Sequence, residues 1–148
     1  MAKRDLKARI NDAEIFLAFD IGLKRTGSAS GSRFSKTATP AGTLVVNKGR
    51  HDWAGVDALI NEWLPDAIVI GDPRSSDPHL NKAINRFKSH IHQHHKLPII
   101  DFDERLSSAA ANERLAQRGL SQQRKTELRD QVAAALILES YFSSLNEG

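Results

Sequence analysis

The chain has 148 residues, of which 40% are hydrophobic and 26% charged, a composition that favours one soluble globular domain. It contains no cysteine, which excludes disulfides and thiolate metal sites and agrees with a cytoplasmic location, and no apolar run long enough for a membrane span or a signal peptide. The net charge is only +3, which favours a polyanionic partner such as nucleic acid slightly.

The first part of the chain predicts an arm followed by three strands. Residues 1–14 are mostly charged and lack apolar periodicity, so a mobile or loosely helical arm is expected ahead of a single domain at 15–148. Three short strands are predicted next, at 15–21, 27–30 and 43–46. The segment 31–42 is rich in Ser, Thr and Pro and is predicted as a loop. Short connections between consecutive strands favour an antiparallel meander.

Helical periodicity then alternates with apolar runs. The predicted elements are a helix from Trp53 to Trp63 closed by Pro65, a strand at 66–71, a helix around 80–91 and a strand at 97–102. Two more helices are predicted, from Ser107 to about Arg118 and from an N-cap at Ser121 to about Leu145. This order predicts an α/β domain with a mixed five-stranded sheet, three strands antiparallel and two parallel, flanked by helices. The tryptophans are expected in the core.

Asp20 ends the first predicted strand, directly after the apolar run Phe16–Phe19. A carboxylate at a buried central strand is costly unless it is paired, hydrogen-bonded or bound to a metal. The alternative is a strand-end Asp in the turn through Gly22, because turns favour Asp and Gly for backbone reasons alone.

Two more acidic residues are directed toward the same region by the predicted topology. Glu104 follows the last predicted strand, at the carboxyl edge where parallel sheets collect ligands. Asp130 shares a helix face with Ala134, so its carboxylate points at the body of the protein. The alternatives are surface ion pairs, of Glu104 with Arg105 and of Asp130 with Arg25.

Carboxylates without cysteine suit hard, oxygen-bound cations such as Mg²⁺ or Mn²⁺. The candidate catalytic and metal-binding residues are Asp20, Glu104 and Asp130. Two such ions about 4 Å apart can activate a water and stabilise the leaving oxygen of a phosphodiester. The neighbouring cations that would hold substrate phosphates are Lys24, Arg25 and Arg105. The set predicts hydrolysis of a polyanion, with Asp20 bridging the two ions.

The histidines at 90–95 raise a separate metal question. His90 and His94 have the helical spacing that can bind zinc, but no acidic ligand or motif accompanies them in the sequence. An exposed helix end, where protonated histidine interacts favourably with the helix dipole, is the preferred interpretation.

Four motifs in chain order resemble the YqgF (RuvX) family of bacterial proteins, and the similarity covers about residues 15–145. They are Asp20-Ile21-Gly22-Leu23-Lys24-Arg25-Thr26-Gly27, Gly71-x-Pro73, Asp103-Glu104-Arg105-Leu106-Ser107, and Lys125 with Asp130-x-x-Ala133-Ala134-x-x-Ile137-Leu138. The chain departs from the family pattern at Ser28 and Ser32, and again at Asp72 and Arg74, which add a carboxylate and a cation near the expected site.

The resemblance implies an RNase H-like fold and a cytoplasmic nuclease, with the family's acidic site on Asp20, Glu104 and Asp130. Proteins of this family are described as Holliday junction resolvases by fold analogy and as nucleases that mature the 5′ end of pre-16S ribosomal RNA. The implied partners are therefore pre-16S rRNA, branched DNA and ribosomal particles.

Two other functions fit parts of the sequence. Asp-x-Gly followed by a strand hairpin also opens the ATPases of the actin, sugar-kinase and Hsp70 type, but those need two such domains and 148 residues supply one. A non-catalytic RNA-binding or ribosome-assembly factor with the same fold is the second alternative.

Overall fold

The apolar run at the start of the domain forms the middle strand of a five-stranded sheet in the computed structural model, which describes residues 3–120 and 126–145. The strands are β1 (Ile15–Ile21), β2 (Arg25–Ser32), β3 (Ala38–Val45), β4 (Ala67–Asp72) and β5 (Ile99–Asp103). Their order in the sheet is β3-β2-β1-β4-β5. β3, β2 and β1 pair antiparallel, whereas β1, β4 and β5 pair parallel, which confirms the predicted mixed sheet.

The second and third strands are longer than predicted. β2 extends to Ser32, and β3 already begins at Ala38, where the sequence predicted a loop at 31–42. β3 can contain Pro40 because it is an edge strand, where the N–H that proline lacks is not needed to pair with a neighbouring strand. The ladder between β2 and β3 shifts register at Ser28 and Ala29, which explains why alternation did not reveal the part of β3 before Thr43.

Five helices complete the described part of the chain: α1 (Lys3–Asp12), α2 (Trp53–Trp63), α3 (Pro78–His94), α4 (Ala109–Gln117) and α5 (Thr126–Leu145). Three of them begin at a side chain that accepts a backbone N–H, namely Asp52, Asp77 and Ser108. The predicted N-cap Ser121 and the motif residue Lys125 lie outside the described residues. In the described residues no helix combines the length and the apolar character needed to cross a membrane.

The charged segment before β1 is helical in the structure. Arg33, the residue directly after β2, holds the carboxyl end of α1. Its guanidinium donates to the carbonyl oxygens of Ile10, at 2.9 Å, and of Asn11. Arg9 of the same helix donates to the carbonyl of Lys96 at 3.0 Å. These contacts join α1 to the rest of the domain.

The sheet separates two apolar cores. Alternate residues of β1 point to opposite faces, so Phe16 and Ala18 pack under α5, whereas Leu17 and Phe19 pack under α2 and α3. Continuing this alternation, Asp20 belongs to the α5 face. Both tryptophans, Trp53 and Trp63, are partly buried against the core on the α2 and α3 side, as predicted.

Candidate active site

Asp20 lies at the carboxyl edge of the parallel strands, on the face of the sheet that α5 covers. It pairs with Gly27 in the ladder between β1 and β2. The next parallel strand, β4, ends at the same level with Gly71 and Asp72, because Phe19 is paired with Ile70. The carboxylate is thus placed where strand ends meet in an α/β sheet.

Glu104 reaches Asp20 across Gly71. It is the first residue of a single 3₁₀ turn, Glu104–Leu106, that follows β5. A Cβ added to Gly71 would lie 2.6 Å from the Glu104 Oε1 atom, so a larger residue here would push the Glu104 side chain out of its present position. The Glu104 carboxyl group is hydrogen-bonded to that of Asp20. The structure therefore brings these two predicted site residues into contact.

Burial and mutual repulsion change the ionisation of this pair. Burial, followed by the charge of Asp20, raises the pKa of Glu104 to about 7, and the charges of Asp72 and Asp103 act in the same direction. Burial also raises the pKa of Asp20, with the hydrogen bond from Glu104 opposing the shift and the charge of Asp130 adding to it. The pair therefore retains a proton up to near-neutral pH.

Asp130 is brought to the site by the close contact of α5 with β2. A Cβ on Gly27, the ladder partner of Asp20, would lie 2.0 Å from the Asp130 carbonyl oxygen. The Asp130 side chain accepts a hydrogen bond from Nε of Arg25 at 2.7 Å. The surface ion pair that the sequence left as an alternative for Asp130 is thus present.

The three predicted phosphate-binding residues differ in their contacts. Arg25 is engaged by Asp130, as described above. Arg105 is paired with Asp103 and not with Glu104, through Nη2 to Oδ2 at 2.7 Å and Nε to both carboxylate oxygens at 3.1 Å. Its side chain is 66% exposed, so a ligand could reach it. Lys24 is exposed in the turn between β1 and β2.

The residues that depart from the family pattern at the end of β4 are part of this edge. The Asp72 carboxylate accepts the backbone N–H of Arg74 at 2.8 Å, and Arg74 adopts a left-handed conformation with φ of 57°. Asp72 also contributes to the raised pKa of Glu104. Asp103 was not singled out by the sequence analysis, although its position at a strand end is the same signal that identified its neighbour Glu104.

The donors at this edge suit a hard divalent cation. Asp20 and Glu104 offer only carboxylate oxygens, and a bound cation would relieve the repulsion that raises their pKa values. Asp130 is not joined to them as a third ligand, because its carboxylate is turned to Arg25. Among the described residues, a group of three ligand atoms all within 4.8 Å of one another occurs elsewhere, at Asp57, His90 and His95.

Comparison with known proteins gives a family match over most of the chain. The sequence model of the RuvX family, described as Holliday junction resolvase, matches residues 14–144. A protein of Saccharophagus degradans named "Putative pre-16S rRNA nuclease" is 35% identical over 133 residues, which cover 88% of this chain and 94% of the relative. A Methylobacillus flagellatus protein with the same name is 38% identical over 132 residues, covering 87% of this chain and 90% of the relative.

Two solved structures similar to this chain are resolvases with low sequence identity. T. thermophilus RuvC, in complex with a Holliday junction substrate, superposes with a TM-score of 0.62 at 15% identity, covering 90% of this chain and 96% of that one. The fowlpox virus Holliday junction resolvase gives a TM-score of 0.55 at 19% identity, with 88% and 99% covered. At these identities the similarity establishes a RuvC-like, RNase H-type fold, as predicted from the resemblance.

Proposed function

This chain belongs to the RuvX family, described as Holliday junction resolvases, and from that premise we propose that it cleaves nucleic acid at the Asp20–Glu104 pair. The family and its nuclease-named relatives make the chain a hydrolase that acts on phosphodiester bonds. The observation that supports this site is the hydrogen-bonded carboxyl pair, with a Glu104 pKa of about 7, at the carboxyl edge of the sheet.

The ligands that we propose for Mg²⁺ or Mn²⁺ are Asp20 and Glu104, with Asp130 joining them once Arg25 releases it. A pair of such cations supplies Lewis-acid stabilisation of the phosphate and lowers the pKa of an attacking water. Cation binding requires the proton held by Asp20 and Glu104 to leave, so binding should weaken as the pH falls below about 7.

The cations beside the pair would orient the substrate. Arg105 is held by Asp103 only through an exposed ion pair, which solvent and salt screen, so a phosphate can compete for the guanidinium. Arg25 is partly exposed in the same way. If a phosphate draws Arg25 away, Asp130 is freed to turn toward Asp20, and substrate binding would complete the acidic site. Lys24 would add a third cation at the mouth of the site.

For the substrate we propose a precursor of 16S ribosomal RNA, bound as free RNA or within a ribosomal particle in the cytoplasm. The names of the curated relatives support this choice. Branched DNA is the second candidate, because the family is described as Holliday junction resolvases and two resolvases of such junctions have a similar fold.

Cleavage assays with two site variants test the proposal. Purified protein is incubated with pre-16S rRNA fragments and with four-way-junction DNA, in Mg²⁺, Mn²⁺ or EDTA. We expect cleavage of the RNA that EDTA abolishes and that Asp20→Asn and Glu104→Gln each reduce by about 100-fold or more. Asp101→Asn is the matched control, because Asp101 is an exposed carboxylate of β5 paired with Lys88 at 2.9 Å.

The outcomes separate the alternatives. If both site variants fold, judged by circular dichroism, and still cut like the wild type, the active site lies elsewhere. If the wild type binds RNA but cuts neither substrate, the protein is an RNA-binding assembly factor. Calorimetry with ATP should show no binding, whereas measurable affinity would revive the ATPase alternative.

A further inference from the structure

The histidines at the end of α3 meet an aspartate of α2. Asp57 Oδ1 lies 2.8 Å from Nε2 of His90 and 2.6 Å from Nε2 of His95. One carboxylate oxygen thus faces two imidazole nitrogens, and the three ligand atoms all lie within 4.8 Å of one another. The zinc spacing that the sequence suggested, His90 with His94, is not the one that the fold selects.

This cluster has no part in the proposed nuclease site. α2 and α3 pack on one face of the sheet, whereas α5 packs on the other. Asp20 and Glu104 lie on the α5 face. The cluster is also at the carboxyl end of α3, whereas α3 begins after the strand end that carries Asp72. A metal held there would therefore be separate from the cations of the nuclease reaction.

The two imidazoles are held in position before any ligand arrives. The ring of Trp53 stacks on His90, with centroids 4.2 Å apart and an angle of 13° between the planes. The backbone N–H of His95 caps α3 by donating to the Ile91 carbonyl at 3.0 Å. The histidine side chains are only 12% and 14% exposed, whereas that of Asp57 is 40% exposed. The site is thus anchored on its imidazole side and open to solvent on its carboxylate side.

We propose that Asp57, His90 and His95 bind one divalent transition-metal ion of the zinc class. A site of two imidazoles and one carboxylate binds Zn²⁺, Co²⁺ and Ni²⁺ in preference to Mg²⁺, which favours oxygen ligands. Three protein ligands leave one tetrahedral position, which water can occupy through the exposed side of Asp57.

The geometry requires only a small adjustment. Around a tetrahedral ion with bonds near 2.1 Å, neighbouring ligand atoms lie about 3.4 Å apart. The present separations of 2.8 and 2.6 Å must therefore open by roughly 0.6 and 0.8 Å, and rotation of the Asp57 side chain can supply this. The ion would replace the hydrogen bonds of Asp57 and connect α2 to the end of α3.

Metal titration of the whole, chelator-treated protein tests the site. ZnCl₂ is titrated by calorimetry and CoCl₂ by visible absorption. We expect one tight ion per chain, retained in Asp20→Asn, which removes a carboxylate of the nuclease site. Asp57→Asn, His90→Gln and His95→Gln should each weaken binding by at least about tenfold. His92→Gln is the matched control, because His92 is an exposed histidine of the same helical turn.

A second measurement covers the case in which a variant does not fold. In the wild type, histidine-ring NMR signals of His90 and His95 should shift on adding one equivalent of Zn²⁺, while that of His92 stays in place. The proposal is overturned if the wild type binds no Zn²⁺ or Co²⁺, if the three cluster variants bind as the wild type does, or if only Asp20→Asn loses the ion.

Discussion

Glu104 owes its unusual ionisation to the fold around it. The residue follows β5, lies over Gly71 and contacts Asp20, so its charged form is both partly buried and close to other carboxylates. Its pKa of about 7 compares with 4.5 for the unperturbed group. Folding therefore favours the protonated form of Glu104 when no cation is present.

The stability of the metal-free protein should consequently depend on pH through this residue. Since the folded pKa lies above the unfolded one, the stabilising contribution is present below pH 4.5 and is lost as the pH rises through about 7. Because Glu104 is only half-buried, we expect the loss to be about 1–2 kcal/mol rather than the full value of the shift. Urea unfolding in EDTA at pH 5 and pH 8 measures it.

Glu104→Gln isolates this contribution from those of other titrating groups. The variant should be more stable than the wild type at pH 8 and gain little at pH 5, while Glu113→Gln, at an exposed site on α4, should follow the wild type. Equal pH dependence of wild type and Glu104→Gln would mean that the Glu104 carboxyl group ionises normally.

The close packing of α5 on the sheet depends on a glycine, Gly27 of β2. At Gly27, a Cβ would lie 2.0 Å from the carbonyl oxygen of Asp130 and 2.3 Å from its carbonyl carbon. These are backbone atoms and cannot rotate away. At Gly71 the close atoms belong to side chains, Ile137 Cδ1 at 2.5 Å and Glu104 Oε1 at 2.6 Å. The two glycines thus position the same site by different means.

The two glycine positions should respond differently to alanine. Gly27→Ala is expected to lower the free energy of unfolding by about 3 kcal/mol, because α5 must move away from β2. Gly71→Ala should cost less stability, since two side chains can rotate, but should reduce cleavage by displacing Glu104. Urea unfolding and the RNA cleavage assay measure the two effects, and a Gly27→Ala protein as stable as the wild type would contradict this packing.

At the scale of the whole molecule, Glu139 of α5 connects its own helix to the end of α4 and to the distant strand β3. The side chain is fully buried on α5 and accepts the backbone N–H of Ala38, at the start of β3, at 2.9 Å. Arg118, at the end of α4, donates to the same oxygen at 2.9 Å and also to the Ala38 carbonyl at 2.6 Å. Arg114 is 3.5 Å from the other carboxylate oxygen. Glu139 belongs to no motif in the sequence, and its role became visible only from the partners that the fold brings to it.

Replacing Arg118 should lower the stability of the protein more than replacing Glu139. Arg118→Met leaves a buried carboxylate whose nearest remaining cation is Arg114, at 3.5 Å, with the Ala38 N–H as its hydrogen-bond donor, and should cost about 3–5 kcal/mol. Glu139→Gln keeps an acceptor for the Ala38 N–H and leaves an arginine that is 36% exposed, so its cost should be smaller. Lys88→Met, which breaks an exposed pair with Asp101, should cost less than about 1 kcal/mol. Denaturant unfolding ranks the three, and equal losses would argue against a buried charge.

Much of the fold follows from local sequence patterns. The run Phe16–Phe19, the apolar strand β4 and the helical periods at α2 and α3 predict the mixed sheet, because period and apolar length are properties of neighbouring residues. The first half of β3, before Thr43, was predicted as a loop because an edge strand tolerates Pro40 and a register shift, which depend on its place in the sheet. Asp20 and Glu104 were identifiable from the sequence because each lies at the end of an apolar run that predicts a strand.

The partners of those residues were decided only by the tertiary structure. The sequence determined that carboxylates and cations of a nuclease family stand at these positions, but not that Asp130 is held by Arg25, 105 residues away. Nor could it show that Asp57, on another helix and 33 residues before His90, completes the proposed metal site. Such contacts depend on where the backbone carries each side chain, and an error of one residue in a strand's register would turn Asp20 away from Glu104.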